Sequence, residues 1–451
     1  MLTLVAQLWP EQTDWQQTCA KLRQAHSLAA LVVGARQIGM EIARCLVESQ
    51  LQQRAAAPTD WGRCPQCSSP LRSKGRQHRQ VQTLVGTVCW HRPVGRCPRH
   101  CQIEQVAPLD ERLGIIPNQG TSSELQRLAL LLAVVVPFEL AAELLHQLCG
   151  IAISPQSIWN WTQQQGKTAQ AQTDTVPLEP VSDQFAQLPM LLAADGITVP
   201  FRTQAKTTHG AVVWREVKVG LVTRYQSSTT EQGDKTQLHQ RRLVAVLGNV
   251  DALALLLKAQ ALRQGWSSGI QSAWISDGAK GLWRIYQEQF AQGAVGILDF
   301  YHAVQHLAEA AAAYGQTLST RSPEQWLARM RHQLRQGYAH RIIQELDKLI
   351  CYDNTPKSAI PVLKQVRDYL QTHLSHVQYP KFKALNLPIG SGLIESACKG
   401  LIAQRFKGTG MRWSEDGFNH LLRLRLDWMN GRFDSSCSDV PPVLSLYSPN
   451  P

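Results

Sequence analysis

Two apolar runs, Met190 to Ala194 and Ser272 to Ser276, each stop on an acid followed by glycine: Asp195-Gly196 and Asp277-Gly278. Short apolar runs bounded by turn residues read as buried strands. One Asp-Gly alone is ordinarily a turn. Two of them, each directly after a strand, constrain far more, because both carboxylates then project at the carboxyl edge of one sheet, where open α/β sheets carry their sites. If the strands are neighbours the carboxylates converge, and two such groups a few ångströms apart repel unless a divalent cation lies between them.

The flanking segments fit the same sheet. Val212 to Thr223 alternates Val217, Val219 and Leu221 with Glu216 and Lys218, Arg242 to Gly248 reads as a third strand, and Ala294 to Leu298 as another ending at Asp299. Ala252 to Arg263 is patterned as an amphipathic helix. Antiparallel strands followed by alternating helix and strand give the element order of an RNase H-like mixed sheet. Beyond His302 the pattern turns helical until Asn386. A third acid, Glu395, lies early in a helix entered through Gly390-Ser391-Gly392, with Lys399 one turn on near the same face. Two Mg²⁺ or Mn²⁺ ions held by Asp195, Asp277 and Glu395 would activate a water or 3′-hydroxyl and stabilise the leaving 3′-oxygen of an in-line phosphoryl displacement.

Upstream, Cys64-Pro-Gln-Cys67 and Cys97-Pro-Arg-His-Cys101 are separated by enough chain for a β-hairpin. Two close cysteine pairs supply the four tetrahedral ligands of a structural Zn²⁺ site, with His100 and Cys89 as substitute ligands. Arg63, Arg72, Lys74, Arg76, Arg79, Arg92, Arg96 and Arg99 surround that site and suit phosphate contact. Further on, Glu139 to Leu148 and the helix opened by Ser154-Pro155 flank a turn carrying Gly150, the arrangement of a helix-turn-helix. Its second helix would turn Gln156, Ser157 and Asn160 towards bases, unless the pair is an ordinary helical hairpin with Trp159 and Trp161 in its core.

Composition narrows the partner. Lys plus Arg outnumber Asp plus Glu by 46 to 34, a net charge of +12 that favours a polyanion. The opening MLTLVAQLWPEQ has no signal-peptide character, and Leu128 to Val136 falls well short of the roughly 20 apolar residues of a membrane span. A cytoplasmic, nucleoid-associated location without a membrane partner is expected. In such a compartment the 11 cysteines argue for metal ligation or buried thiols over disulfides.

Several motifs together resemble the DDE transposases of bacterial insertion sequences, most closely the Kra-type (ISKra) group related to Mutator-like elements. They are Ala194-Asp195-Gly196 with Val199-Pro200, Ile275-Ser276-Asp277-Gly278-Ala279-Lys280-Gly281-Leu282, Asp299-Phe300-Tyr301-His302, and Gly390 to Ser396 leading into Arg405 to Trp413. The resemblance spans nearly the whole chain. It implies that Asp195, Asp277 and Glu395 form the metal-binding triad, that Asp299 and His302 form an accessory acid-x-x-His motif, and that a helical insertion precedes the glutamate. It also implies double-stranded DNA as partner, namely terminal inverted repeats and target DNA, and a homodimer or higher oligomer on that DNA.

The segment from Arg405 to Trp413 concentrates Arg405, Lys407 and Arg412 around Gly408 and Gly410. It is expected to meet DNA near the scissile phosphate, with Trp413 stacking on an unpaired base. The alternative is a basic surface loop with Trp413 in the core. The expected organisation is a helical region at 1–58, a zinc ribbon at 59–108, a helix-turn-helix at 109–175, the first part of the catalytic core at 176–302, the all-α insertion at 303–385, the core's C-terminal helices at 386–435 and a disordered tail at 436–451.

Overall fold

The computed structural model describes residues 13–101, 106–171, 183–203, 212–230, 233–267, 269–314 and 322–436. Most of the linker before Leu188 and all but the first residue of the expected tail lie outside the described residues. The chain divides into two compact units, residues 1–164 with 434–451, and residues 165–433.

In the first unit, α1 (Thr13–Arg23) packs on the long α2 (Leu28–Ala56), burying Cys19 and Ile38 against Leu22 and Ile42. Ser27 caps α2 by accepting the Ala30 N–H at 3.2 Å. The chain between the cysteine pairs is an antiparallel hairpin, β1 (Arg72–Thr83) and β2 (Gly86–Arg96), with a bulge between Ser73 and Gly75. Val81, Val88 and Trp90 on one face of it pack with Ala55 and Leu109. Side chains of α2 cover the outer edge of β2: Glu48 accepts the Cys89 N–H at 2.8 Å and Gln52 the His91 N–H at 3.1 Å. The short α3 (Pro108–Arg112) buries Asp110, whose carboxylate lies 2.6 Å from Arg92 and 3.7 Å from Arg79.

Helices α4 (Ser123–Val135), α5 (Phe138–Cys149) and α6 (Pro155–Ala171) follow. Gly150 ends α5 with φ of 72°, the left-handed conformation that glycine adopts without a Cβ penalty. Leu125, Ala129, Ala141, Leu145, Ile151 and Ile158 form the shared core, and Trp159 meets the Phe138 ring edge-on at 5.3 Å.

The second unit is built on five strands, β3 (Met190–Phe201), β4 (Val213–Thr230), β5 (Gly233–Leu247), β6 (Ser272–Ser276) and β7 (Val295–Leu298), in the order β5-β4-β3-β6-β7. β3, β4 and β5 form an antiparallel meander, while β6 and β7 continue the sheet parallel to β3. This mixed sheet is compatible with an RNase H-like fold. The first three strands are longer than their apolar patterns, because ladder hydrogen bonds carry β4 and β5 past the last residues that pattern could mark as buried. The helices α7 (Val250–Arg263) and α8 (Lys280–Ile285) flank the sheet. A π turn, Tyr286–Phe290, continues α8.

Among the described residues the segment after β7 carries the helices α9 (Phe300–Tyr314), α10 (Pro323–Arg335), α11 (Ala339–Ile350), α12 (Ala359–Thr372) and α13 (Tyr379–Ala384) and no strand. Leu307, Met330, Leu334, Ile342, Leu363 and Leu370 share one continuous core with Leu192, Trp274 and Ile297 of the sheet. The helices are thus fastened to the sheet by hydrophobic burial, and truncating a side chain such as Trp274 would cost about 3–5 kcal/mol. Among the described residues no helix is long and apolar enough to cross a membrane.

Candidate active site

Strand register sets the acids in one row. Ala193 pairs with Ile275 and Ile275 with Ile297, so two residues further along each chain Asp195, Asp277 and Asp299 stand at the same level. Asp195 does not end its strand, as the sequence pattern suggested, because β3 continues to Phe201 on the ladder with β4. What ends there is the other ladder: β6 pairs only with Met190 to Ala193, and β3 has no strand partner on that side from the acid until Trp413 bridges to Phe201. Burial is complete from Met190 to Ala194, partial from Asp195 to Ile197, lost at Thr198 and complete again from Val199 to Phe201.

Neither glycine behind the acids has positive φ, and crowding by a fixed group applies to Gly278 alone, since Gly196 faces the movable end of the exposed Glu216. A Cβ on Gly196 would lie 1.9 Å from Glu216 Oε1, and one on Gly278 would lie 1.9 Å from Cε2 of Tyr369.

Asp299 is fully buried and organises the fourth acid. Its Oδ1 accepts the His302 N–H at 2.6 Å and its Oδ2 accepts the Ser391 N–H, while His302 Nδ1 lies 3.2 Å from Oδ1. The Phe300 N–H donates to Ile389 O at 2.9 Å. These bonds lay the glycine-flanked turn across the end of β7 and launch α14 (Gly392–Cys398), which carries Glu395. One ligand atom from each of Asp299, His302 and Glu395 falls within 4.8 Å of the others, and the Ser391 hydroxyl donates to Glu395 Oε1 at 3.2 Å. Past Cys398 the helix widens into a π turn, Lys399–Ala403, before α15 (Gln404–Phe406). Buried Arg425 donates to the carbonyls of Gly400 and Leu401, the latter at 2.7 Å, and so supports the widened backbone.

The charges are coupled. Burial first, then the neighbouring Asp277, pushes the Asp195 carboxyl up, against the pull of the Gly196 N–H, His302 and the Cys398 thiol. The 3.2 Å contact of its Nδ1 with the Asp299 carboxylate raises His302 to about 9 against burial, helped by the charges of Asp299, Asp277 and Glu395. Burial pushes Asp299 up as well, but its bonds from His302 and Ser391 together hold it below the ordinary carboxylate range. The group that could hold a metal ion is Asp299, His302 and Glu395, two carboxylates and an imidazole that suit a hard divalent ion such as Mg²⁺ or Mn²⁺, while Asp195 and Asp277 stand at the same level outside that group. Each Asp299 oxygen accepts one backbone N–H, which ties the acid to the turn before Glu395 and still leaves a lone pair on each oxygen for a ligand role.

In the metal-free chain, Asp299→Asn is expected to cost about 3 kcal/mol, because an amide NH₂ would face a buried N–H donor. The loss should depend on pH. His302 has a raised folded pKa, so its contribution is complete below 6.5 and lost as pH rises through about 9. Asp299 has a depressed one, so its contribution is lost as pH falls through its folded value. Urea denaturation of both chains across pH should show the largest gap between those limits; equal stability throughout would remove Asp299 from this role.

Other residues singled out by sequence divide by exposure. Arg405 and Trp413 are buried, 1% and 6% exposed, as in the alternative with Trp413 in the core. The Trp413 ring donates from Nε1 to Phe406 O at 3.0 Å and lies under the Arg405 guanidinium, and its backbone bridges to Phe201. The segment therefore clamps the helix end to the end of β3. Lys399, Lys407 and Arg412 are exposed. Gln156 and Asn160 are exposed and hydrogen-bonded to each other at 2.9 Å, while Ser157 is half-buried and its N–H donates to the Ser154 hydroxyl at 3.1 Å.

In the first unit, Cys64, Cys67, Cys97 and Cys101 place their sulfurs within 4.8 Å of one another, and neither His100 nor Cys89 joins that group. Hydrogen bonds from Ser69 lower Cys67 to about 6, whereas the thiols of Cys67 and Cys97 push Cys101 up to about 12. Four sulfurs this close cannot all ionise without a cation among them, and the set fits tetrahedral Zn²⁺.

The second unit is thus a mixed α/β sheet with a carboxylate row at the level where the parallel strands end. No protein-family model matches the chain, and no curated protein matches it. Among solved structures it is similar to a Drosophila P element transposase strand transfer complex, with 11% identity over 72% of this chain and 83% of that chain at a TM-score of 0.26. A likeness at that level decides neither fold nor chemistry.

Proposed function

We propose that this chain is a DNA transposase of the bacterial insertion-sequence DDE type, resembling the Kra-type group, which cuts DNA and joins strands through Asp195, Asp277 and Glu395. The observation that carries this reading is the common level of Asp195 and Asp277, with Glu395 delivered beside it by the Asp299–Ser391 contact. Divalent metal ions, when bound, would supply activation of the attacking oxygen and stabilisation of the leaving one. Asp195, Asp277 and Glu395 would hold them, and protonated His302 would offer positive charge to a phosphate oxygen. The substrates are the element's terminal inverted repeats and target DNA, engaged by a dimer or larger assembly. Linear DNA carrying the element's ends, incubated with Mg²⁺, should yield cleaved ends and strand-transfer products. Cleavage without joining would make the protein a hydrolytic nuclease, and binding without either a DNA-binding regulator.

The zinc hairpin would grip the duplex. From Trp61 to Cys101 the chain contains no acid, and Arg72, Lys74, Arg76, Arg96 and Arg99 are exposed. Arg79 and Arg92 face Asp110 instead. A two-stranded ribbon fits the DNA major groove, whereas that of an RNA duplex is too narrow to read. Replacing Arg72, Lys74 and Arg76 by Gln should flatten the dependence of log K on log salt by about 0.9 for each phosphate contact removed. An unchanged slope would move the principal contacts to α6 or to Lys407 and Arg412.

A further inference from the structure

We infer that Trp283 is a positioning residue of the carboxylate row, its indole N–H fixing the backbone at Asp277 while rings from the turn after α12 fix the indole. This rests on the proposed reading of Asp277 as a metal ligand. The ladders of β6 end at Ile275 on the β3 side and at Ser276 on the β7 side, so Asp277 lies past both. Two bonds take over there. Asp277 Oδ1 accepts the Ala279 N–H at 3.0 Å, and the Asp277 carbonyl accepts the Trp283 indole N–H at 2.6 Å. The first holds the carboxylate against the turn, and the second holds the turn against α8.

The indole is buried, with three rings around it. Its centroids lie 5.3 Å from Tyr286, 4.7 Å from His373 and 4.4 Å from His376. Two of these rings are fastened to β7: the Tyr286 hydroxyl donates to Ala294 O at 3.1 Å and accepts the Gly296 N–H at 3.0 Å, and His376 Nδ1 donates to Gly296 O at 3.0 Å. β7 leads into Asp299. Trp283 therefore sets the Asp277 backbone against the strand that delivers the neighbouring acid, and the relative placement of the two acids depends on it. Such an aromatic pocket would accept a phenylalanine, which would leave the Asp277 carbonyl without this donor. Losing a partner that orients a metal ligand typically weakens metal affinity about 10- to 100-fold, and a bond to the ligand's backbone belongs at the lower end.

The test is Trp283→Phe in the full chain with its zinc retained, with Mn²⁺ as probe. A second variant, Trp283→benzothienylalanine, keeps the bicyclic ring and puts sulfur where the N–H was, so it removes the bond without emptying the pocket. Calorimetric titration without DNA should show Mn²⁺ affinity lowered about tenfold in both. Cleavage of end-bearing DNA should fall with it and recover in part at high Mn²⁺. In the Asp277→Asn background the same replacements should lower the residual Mn²⁺ affinity no further, because their effect runs through that acid. Wild-type Mn²⁺ affinity in the benzothienyl variant, or an equal loss in the Asp277→Asn background, would overturn the inference while leaving the site reading intact. A wild-type isotherm unaltered by Asp277→Asn would overturn both. If the wild type binds Mn²⁺ but cuts no DNA, the proposed activity fails, and the weaker affinity of the Trp283 variants still supports this role for Trp283.

Discussion

Asp277→Asn should reduce DNA strand cleavage by at least about a thousandfold while leaving the affinity for DNA ends within about twofold. The substitution keeps shape. An asparagine Oδ1 can still accept the Ala279 N–H, so the turn into α8 survives, as does the Trp283 Nε1 bond to the Asp277 carbonyl at 2.6 Å. What disappears is one unit of charge and one oxygen of the donor set, and an amide does not replace a carboxylate on a hard divalent cation. Asp195→Asn should lose cleavage to the same degree with an added effect on folding. Its carboxyl is pushed up by burial and by Asp277, so neutralising it removes a charge the fold already disfavours. Asp195→Asn is therefore expected to be at least as stable as the wild type in metal-free urea denaturation, the sign of a site held under strain for function. Cleavage that persists in either variant with Mg²⁺ present would end the assignment of these acids.

Local pattern carried part of this site and could not carry the rest. The level of the acids was legible because a strand's last apolar residue and the acid after it are neighbours in sequence, and parallel pairing transfers that level from β6 to β3. The end of β3 is not legible: Asp195-Gly196 looks like a turn, yet the ladder with β4 holds it extended. The cysteine spacing signalled one cluster, since ligands of a small knuckle must lie close in sequence. Arg405 and Trp413 misled, because a basic stretch with glycines reads as surface until the Phe201 bridge and the Phe406 carbonyl claim Trp413. Tyr369 left no sequence signal, as its link to Gly278 exists only once the helices fold back onto the sheet.

Loss of zinc should unfold one end of the hairpin and leave the other standing. At the knuckle end Cys64, Leu71 and Cys97 form the buried cluster, with Trp61, Cys67, Cys101 and Val106 partly covered and Val94 also buried on β2, so few apolar side chains hold it beyond the ligands themselves. Structural zinc contributes about 10–16 kcal/mol of apparent binding free energy in small ligand-folded units, as large as the stability of a whole domain. The other end has its own support: Val81, Val88 and Trp90 pack on Ala55 and Leu109, and Glu48 and Gln52 secure β2 from α2. The bulge between Ser73 and Gly75 interrupts the ladder between the two ends and marks where unfolding should stop. In Cys67→Ser, or after strong chelation, amide hydrogen exchange should therefore accelerate at residues 62–76 and 93–101 while residues 78–91 stay protected. Because Arg72, Lys74, Arg96 and Arg99 lie in the part that melts, DNA affinity should fall together with the salt slope. Protection across 62–76 that survives zinc removal would show that this end folds on its own apolar contacts, and the four thiols would then need another explanation.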